Sequence, residues 1–175
     1  DADLQHDERL LAPMLAILRK DEADVVVGSR YLAEGGLGDW SQKRRTVSRV
    51  ATGLSRLVLR GRHVTDPMSG FFMLKRDVFD TAVRRLSQEG YKILLDILAS
   101  SPTSVRIKEV PYVFGLRQYG QSKLDSLVVL DYLMLLLDKL VGGWVPVRFL
   151  MFTAVGSLGV FMHMAVLAAA LKSGV

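Results

Sequence analysis

The sequence predicts an α/β domain followed by a membrane-spanning helix, and three observations lead to this prediction. Patterns typical of strands and of helices alternate across residues 1–123, as they do in layered α/β structures. That part holds 20 basic and 15 acidic side chains, so it carries the whole net charge of +5. Residues 149–171 contain no charged side chain, and a helix of about 20 apolar residues is long enough to cross a bilayer.

Helices and strands in the first part follow from local spacing. Apolar residues at helical intervals predict helices at residues 8–20, 42–60, 77–86 and 90–99, with Asp77 as a capping residue. Short apolar or alternating runs predict strands at residues 23–29, 71–74 and 104–114. The three consecutive valines of the first strand indicate a buried, parallel position, whereas Pro111 indicates an edge or a bulge in the last one.

The second part is predicted to meet the membrane. Residues 124–140 are largely apolar with a narrow polar stripe, which favours an amphipathic helix lying in the membrane interface. Gly142 and Gly143 break this helix, and Trp144 suits the headgroup level. We therefore divide the chain into a domain at 1–123, an interface helix and linker at 124–146, and a transmembrane helix at 147–175. His163 is an unusual polar group within the span, where it either serves function or bonds a neighbouring helix.

The first candidate site is Asp1-Ala2-Asp3-Leu4-Gln5. Its two carboxylates and one amide oxygen are the ligands that Mg²⁺ or Mn²⁺ prefers and often shares with substrate phosphates. The pattern is common, however, and taken alone it is more often a solvated acidic chain end than a metal site. The chain has no cysteine, which excludes disulfides, cysteine zinc sites and thiol nucleophiles.

Three further segments carry charge that suits anionic ligands. Residues 43–62 hold seven basic side chains and no acid. Such a run indicates binding of lipid headgroups, of a phosphorylated substrate or of nucleic acid, or else a helix face that is simply solvated. Residues 117–123 combine Arg, Ser and Lys around a glycine, as in an anion clamp or an ordinary polar linker. Asp66, in a turn before a strand, fits a general base, a substrate ligand or a turn-forming residue.

Five segments together resemble family 2 glycosyltransferases, and within them the dolichol- and polyprenol-phosphate mannosyltransferase subgroup. In order, they are Asp1-Ala2-Asp3-Leu4-Gln5-His6, Val27-Gly28-Ser29-Arg30-Tyr31, Trp40 with Arg44-Arg45 and Ser48, Asp66-Pro67-Met68-Ser69-Gly70-Phe71-Phe72, and Arg117-Gln118-Tyr119-Gly120-Gln121-Ser122-Lys123-Leu124. Each is weak alone, but five in order at fitting spacing are specific. The resemblance covers about residues 1–140, and residues 147–159 resemble the first span of a GtrA-like membrane domain.

The resemblance implies the C-terminal part of a GT-A (Rossmann-like) domain, followed by the interface helix and the span. It implies a Mg²⁺ or Mn²⁺ site at Asp1, Asp3 and Gln5 that holds the diphosphate of a sugar nucleotide. It places Asp66 and Arg117 in the catalytic site. The acceptor-phosphate residues that it implies are Arg30, Arg44, Arg45, Ser48, Ser122 and Lys123.

The implied reaction is transfer of mannose from GDP-mannose to the phosphate of a dolichol or polyprenol carrier, with inversion at the anomeric carbon. Transfer from UDP-glucose to undecaprenyl phosphate is the nearest alternative, and a non-catalytic protein that docks on anionic lipids is an alternative of another class. The implied location is the cell membrane with the catalytic part in the cytoplasm. We expect no nucleic acid partner, because aromatic residues do not interleave with the basic run, and homo-oligomer formation stays open.

An α/β domain rarely opens on an acidic loop, so we expect one or more βα units upstream of Asp1. These units would contain the pocket for the base and ribose of the nucleotide. We therefore expect the 175-residue piece alone to be inactive and to fold poorly, since a truncated parallel sheet exposes an edge.

Overall fold

A computed structural model describes residues 6–33, 35–36, 42–87, 92–113, 115, 126–142 and 145–173. The chain divides into two compact units, Asp1–Leu140 and Val141–Val175. The first unit is a mixed α/β structure with a small sheet, which confirms the predicted fold class. The second unit consists largely of one long helix.

The described sheet has three strands, β1 (Val25–Ser29), β2 (Phe72–Leu74) and β3 (Ile107–Pro111), in the order β2-β1-β3. The central strand pairs parallel with β3, where Val25 faces Ile107 and Ser29 faces Pro111. It pairs antiparallel with β2, so the prediction of a parallel position for β1 holds on one side. Pro111 lies on an edge strand of the described sheet, where its missing N–H costs no ladder bond.

Both faces of β1 are covered, which explains its unbroken run of valines. Val25 and Val27 point to a large apolar cluster with residues of α4 (Ile93–Ser100) and α5 (Ser126–Val141). Val26 points the other way, to Met14 on α1 (Leu11–Arg19). The alternation of side chains along a strand thus places one layer of helix on each face of the sheet.

The helices predicted at residues 42–60 and 77–86 differ most from their predicted bounds, while α4 begins at Ile93 and ends at Ser100 rather than covering residues 90–99. The helix α2 (Gln42–Ser55) ends five residues early. The turn that follows reaches left-handed backbone at Arg60 and Gly61, with φ of 51° and 81°. The helix α3 (Arg76–Ala82) begins after Lys75 and continues as a short 3-10 turn, Val83–Arg85. Asp77 therefore does not cap this helix; it lies in the first turn, where a negative charge complements the helix dipole.

The helix α5 has two apolar faces rather than one. Tyr132, Leu135 and Leu136 are buried in the large cluster of the first unit. Large apolar side chains on the other side stay exposed, namely Val129, Leu130, Leu133, Leu137 and Leu140. The predicted interface helix is therefore also a wall of the α/β domain.

The second unit contains α6 (Val147–Ser173). Within it, Phe149–Ser173 is long and apolar enough to cross a membrane, and its residues are not buried by the rest of the protein. A 25-residue helix spans about 37 Å at 1.5 Å per residue, which exceeds a hydrocarbon core of about 30 Å.

Candidate functional site

The first feature of the site is an ion pair at the carboxyl end of β1. Arg30 follows the strand directly, and its Nε and Nη2 atoms donate to the two oxygens of Asp66 at 2.6 and 2.8 Å. The backbone N–H of Arg30 adds a third bond, of 3.2 Å. Asp66 is fully buried and only a tenth of the Arg30 side chain is exposed. Burial alone would lower the pKa of Arg30, but the hydrogen bonds and charge of Asp66 raise it, so the arginine stays charged.

Glu109 of β3 fixes the loop that carries Asp66. Its carboxylate accepts hydrogen bonds from the backbone N–H groups of Thr65 and Asp66 and from the Thr65 hydroxyl, at 2.8 to 3.2 Å. The Thr65 hydroxyl also lies 2.6 Å from that of Ser29 on β1. One strand end and one loop are therefore held together by polar side chains that converge on Asp66.

The same loop packs closely against β1 further along. Ser69 donates to the Gly28 carbonyl at 2.7 Å. A Cβ atom at Gly28 would lie 2.8 Å from the Phe71 ring and 3.2 Å from the Tyr112 ring, so only glycine fits there without displacement. His6 contacts both of these rings, with centroids 5.2 and 5.9 Å away. The residue that follows Gln5 in the sequence is thus beside the loop that carries Asp66.

The second feature is a groove between α2 and α5, called here the α2/α5 groove, with a volume of about 320 Å³. Tyr132 forms part of its wall, and its hydroxyl donates to the Ala51 carbonyl of α2 at 2.5 Å. Burial raises the pKa of Tyr132 to about 12, so the hydroxyl keeps its proton and this bond. The groove is mostly apolar, and its lining residues are Arg44, Thr46, Val47, Ser48, Val50, Ala51, Leu54, Met68, Lys92, Val128, Val129, Tyr132 and Leu133.

Cationic and hydroxyl groups are concentrated toward one end of this groove. Arg44 and Ser48 lie in the first half of α2, roughly 9 to 15 Å before Leu54 at a rise of 1.5 Å per residue. The Ser48 hydroxyl is held 2.7 Å from that of Tyr31, which follows Arg30. The pKa of Lys92 is lowered by burial first and then by the charges of Arg30 and Arg44. An apolar groove with a positive end suits an amphiphile that has an anionic head.

The predicted site residues are brought together only in part. Arg30, Asp66, Arg44 and Ser48 belong to this region, whereas Arg45 is not among the described lining residues of the groove. The other predicted residues lie outside the described ranges: Asp1, Asp3, Gln5, Arg117, Ser122 and Lys123. Their roles stay predictions, as do the phosphate contacts of Arg30, Arg44, Arg45 and Ser48.

The residues predicted to bind a divalent metal, Asp1, Asp3 and Gln5, lie outside the described ranges. Within those ranges no group of three or more His, Asp or Glu side chains could hold a metal ion. The residues that suit one are the carboxylates of Asp1 and Asp3 with the Gln5 amide oxygen, an all-oxygen set that matches the preference of Mg²⁺ and Mn²⁺.

Three residues of the site were missed at the level of sequence. Lys92 and Glu109 belong to segments predicted only as a helix and a strand, and Tyr31 was named only as the end of the second resembling segment. A signal existed for Lys92, because it directly precedes the apolar run Ile93-Leu94-Leu95, which would draw it toward the core. Nothing in the alternation of β3 distinguishes Glu109 from an ordinary exposed residue.

Residues 1–82 match the model of the family described as glycosyl transferase family 2, and this part of the chain belongs to that family. The resemblance inferred from the five segments is thereby confirmed.

Curated relatives are similar over most of the chain. It is 39% identical to a dolichol-phosphate mannosyltransferase of Mycosarcoma maydis over 159 residues, which cover 86% of the chain and 51% of that protein. The corresponding enzymes of Pyrococcus furiosus and Saccharomyces cerevisiae are 36% and 37% identical, each over 76% of the chain and over 37% and 50% of their own lengths. The chain thus spans about half the length, or less, of these relatives.

Proposed function

We propose that the protein containing this chain transfers a sugar from a sugar nucleotide to the phosphate of a polyprenol lipid at a membrane. The observation that carries this proposal is the α2/α5 groove, which pairs apolar walls with Arg44, Ser48 and Lys92 at one end. A polyprenyl phosphate has the matching construction, an apolar chain with one anionic head. The names of the relatives support the same lipid class and favour mannose as the sugar.

The acceptor needs little activation for this reaction. A phosphate monoester is anionic near neutral pH, so its oxygen attacks the anomeric carbon without a strong general base. The work left to the protein is to hold two anionic substrates together and to offset their charge. Arginine suits this task, because its planar guanidinium pairs with two phosphate oxygens at once. In-line attack inverts the anomeric centre, so an α-linked donor gives a β-linked product.

The donor side of the site is assigned to the segment before His6. Asp1, Asp3 and Gln5 would hold a Mg²⁺ or Mn²⁺ ion, which supplies charge neutralisation for the diphosphate of the sugar nucleotide. Asp66 is buried and bound by Arg30, which favours a positioning role for this carboxylate over proton transfer. We assign Arg117, Ser122 and Lys123 to closure over the acceptor phosphate.

The lipid acceptor requires the protein to lie at a membrane. The 25-residue apolar segment of α6 would anchor it, and the exposed apolar face of α5 would rest in the interface. We propose the cell membrane, with the catalytic part in the cytoplasm, where sugar nucleotides are available. The division into residues 1–123, 124–146 and 147–175 belongs to this proposal, as does the GtrA-like nature of the last segment.

The test is a donor screen with the full-length protein in detergent. Radiolabelled GDP-mannose and UDP-glucose are offered with farnesyl phosphate, and the lipid product is separated and its anomeric configuration read by NMR. We expect a β-mannosyl lipid phosphate. Transfer of glucose instead would support the second donor, with the same acceptor site. Absence of transfer from any sugar nucleotide, with binding to anionic vesicles intact, would favour the docking alternative.

Two sets of variants test whether transfer depends on the predicted site residues. Replacing Asp1 and Asp3 by Ala should abolish transfer and leave vesicle binding unchanged. Arg44→Gln should weaken use of the acceptor, whereas Arg49→Gln is the matched control, because Arg49 lies exposed on the same helix and outside the groove. Equal effects of the two arginine variants would argue for general electrostatic attraction to lipid rather than a defined groove.

A further inference from the structure

Lys92 carries a partly buried ammonium group with no partner in the described part of the chain. It directly precedes α4, whose residues from Leu94 to Ser100 are buried, and it lines the α2/α5 groove. Three other lysines each meet a carboxylate: Lys75 meets Asp24, Lys108 meets Glu22 and Lys139 meets Asp96. Lys92 forms no hydrogen bond or ion pair of its side chain with any residue of the described ranges.

This arrangement is electrostatically unfavourable as it stands. Withdrawing an ammonium from water without a counter-ion is costly, and the charges of Arg30 and Arg44 repel it further. Both effects lower the pKa of Lys92. Asp66 acts in the opposite direction, but its two oxygens are already bound by Arg30. A cation kept in such a position is stabilised when an anion enters beside it.

We propose that the Lys92 ammonium donates directly to the phosphate of the lipid acceptor, at the cationic end of the α2/α5 groove. This inference rests on the proposed function, which it deepens by naming a contact that the sequence did not indicate. The charge of Arg30 is already paired with Asp66, so Arg30 positions the loop. In this proposal Lys92 and Arg44 bind the phosphate instead. The proposed role is binding through charge, and Lys92 exchanges no proton with the substrates.

The experiment measures both substrates in the full-length protein. With farnesyl phosphate as acceptor, Lys92→Gln should raise the acceptor KM about ten- to a hundredfold, the usual effect of losing a charge-assisted hydrogen bond. The donor KM should stay within about twofold and Lys92→Arg should recover most of the loss, because the interaction is one of charge. Lys20→Gln is the matched control, since Lys20 is exposed at the end of α1.

A thermal measurement separates a binding role from a structural one. Lys92→Met removes an uncompensated charge, so its midpoint of unfolding without ligand should equal or exceed that of the unmodified protein. Farnesyl phosphate should raise the midpoint of the unmodified protein more than farnesol does, and this difference should be smaller in Lys92→Met, where Arg44 alone meets the phosphate. The measurement stays informative even if Lys92→Gln folds poorly.

The failures are distinguishable. If the unmodified protein neither binds nor glycosylates farnesyl phosphate, the proposed function is wrong, and the proposed contact of Lys92 is wrong as well. If it does both, the proposal for Lys92 is overturned by an unchanged acceptor KM in Lys92→Gln, by a donor KM that rises equally, or by a lowered midpoint in Lys92→Met.

Discussion

The Arg30 guanidinium donates two parallel hydrogen bonds to the Asp66 carboxylate, from Nε at 2.6 Å and from Nη2 at 2.8 Å. Thirty-six positions separate the two residues, so the pair joins the end of β1 to the loop before β2. Such paired geometry is the strong form of an arginine–carboxylate contact. It makes the loop between Thr65 and Gly70 a fixed part of the site rather than a mobile connection.

Removal of one member of this pair should destabilise the protein strongly. Asp66→Ala leaves the buried Arg30 uncompensated, which we expect to cost about 3–5 kcal/mol. The double variant Arg30→Met, Asp66→Leu should regain much of that loss, because apolar side chains of similar volume replace the two charges. Unfolding midpoints in detergent measure both effects. A double variant as unstable as the single one would contradict the explanation by uncompensated charge.

A second buried pair attaches α5 to the domain. Lys139 lies 2.6 Å from Asp96 on α4, and both side chains are less than a tenth exposed. Asp96 also accepts from the backbone N–H and the hydroxyl of Ser87. Asp96→Asn weakens every one of these bonds, so we expect a loss of about 2–4 kcal/mol and faster amide hydrogen exchange throughout α5.

Asp138→Asn is the matched control for this pair. Asp138 precedes Lys139 and lies farther from its ammonium, at 3.6 Å, with more than a quarter of its side chain exposed. Exchange in α5 should therefore stay close to that of the unmodified protein. Since α5 forms one wall of the groove, Asp96→Asn should also raise the KM for a long-chain acceptor. Protected α5 amides in Asp96→Asn would show that apolar packing alone holds the helix.

Much of the fold follows from the sequence because its signals are local. The three valines of β1 could be placed with both faces buried from their run alone, and the apolar stretch of α6 from its length. The antiparallel pairing of β2 could not be foreseen, because β2 has only three residues and is joined to β1 by a 42-residue connection with no hairpin turn.

The candidate site was predicted less completely, for a physical reason. Arg30, Arg44, Ser48 and Asp66 belong to recognisable segments, so their type and order could be read directly. Lys92 comes to the site only because α4 packs into the core, an outcome of tertiary structure. The partners of Arg30 likewise depend on which loop lies at the end of β1. The spacing of residues along the chain does not predict which loop that is.

The groove makes a prediction about lipid chain length. Val129 lines the groove and Leu130 does not, although both are exposed to a similar degree, 44% and 41%. Val129→Ser should raise the KM for a long-chain prenyl phosphate about three- to tenfold, the scale of losing part of one buried aliphatic contact. Leu130→Ser should raise it less, and neither should alter the donor KM. Equal effects would indicate that α5 meets the membrane without selecting the chain.

The acid stability of the domain should depend on Asp24, which directly precedes β1 and so lies at the opposite end of that strand from the site. Hydrogen bonds from Arg106, at 2.8 to 3.0 Å, and then from Lys75 lower the pKa of Asp24 well below its ordinary value of 3.8. A carboxylate whose pKa is lower in the folded state contributes stability that is fully present above the unfolded pKa. That contribution is lost as the pH falls through the folded pKa, because the unfolded chain binds the proton first.

Asp24→Asn should therefore lower the unfolding midpoint at neutral pH, by an amount equivalent to about 1–3 kcal/mol. It should also flatten the decline in midpoint below about pH 4, where the unmodified protein loses this contribution. Asp80→Asn is the matched control, because Asp80 meets Arg76 in an exposed pair on α3 and contributes at most about 0.5 kcal/mol. Parallel midpoint curves for Asp24→Asn and the unmodified protein, over the acid range, would assign the acid sensitivity to other carboxylates.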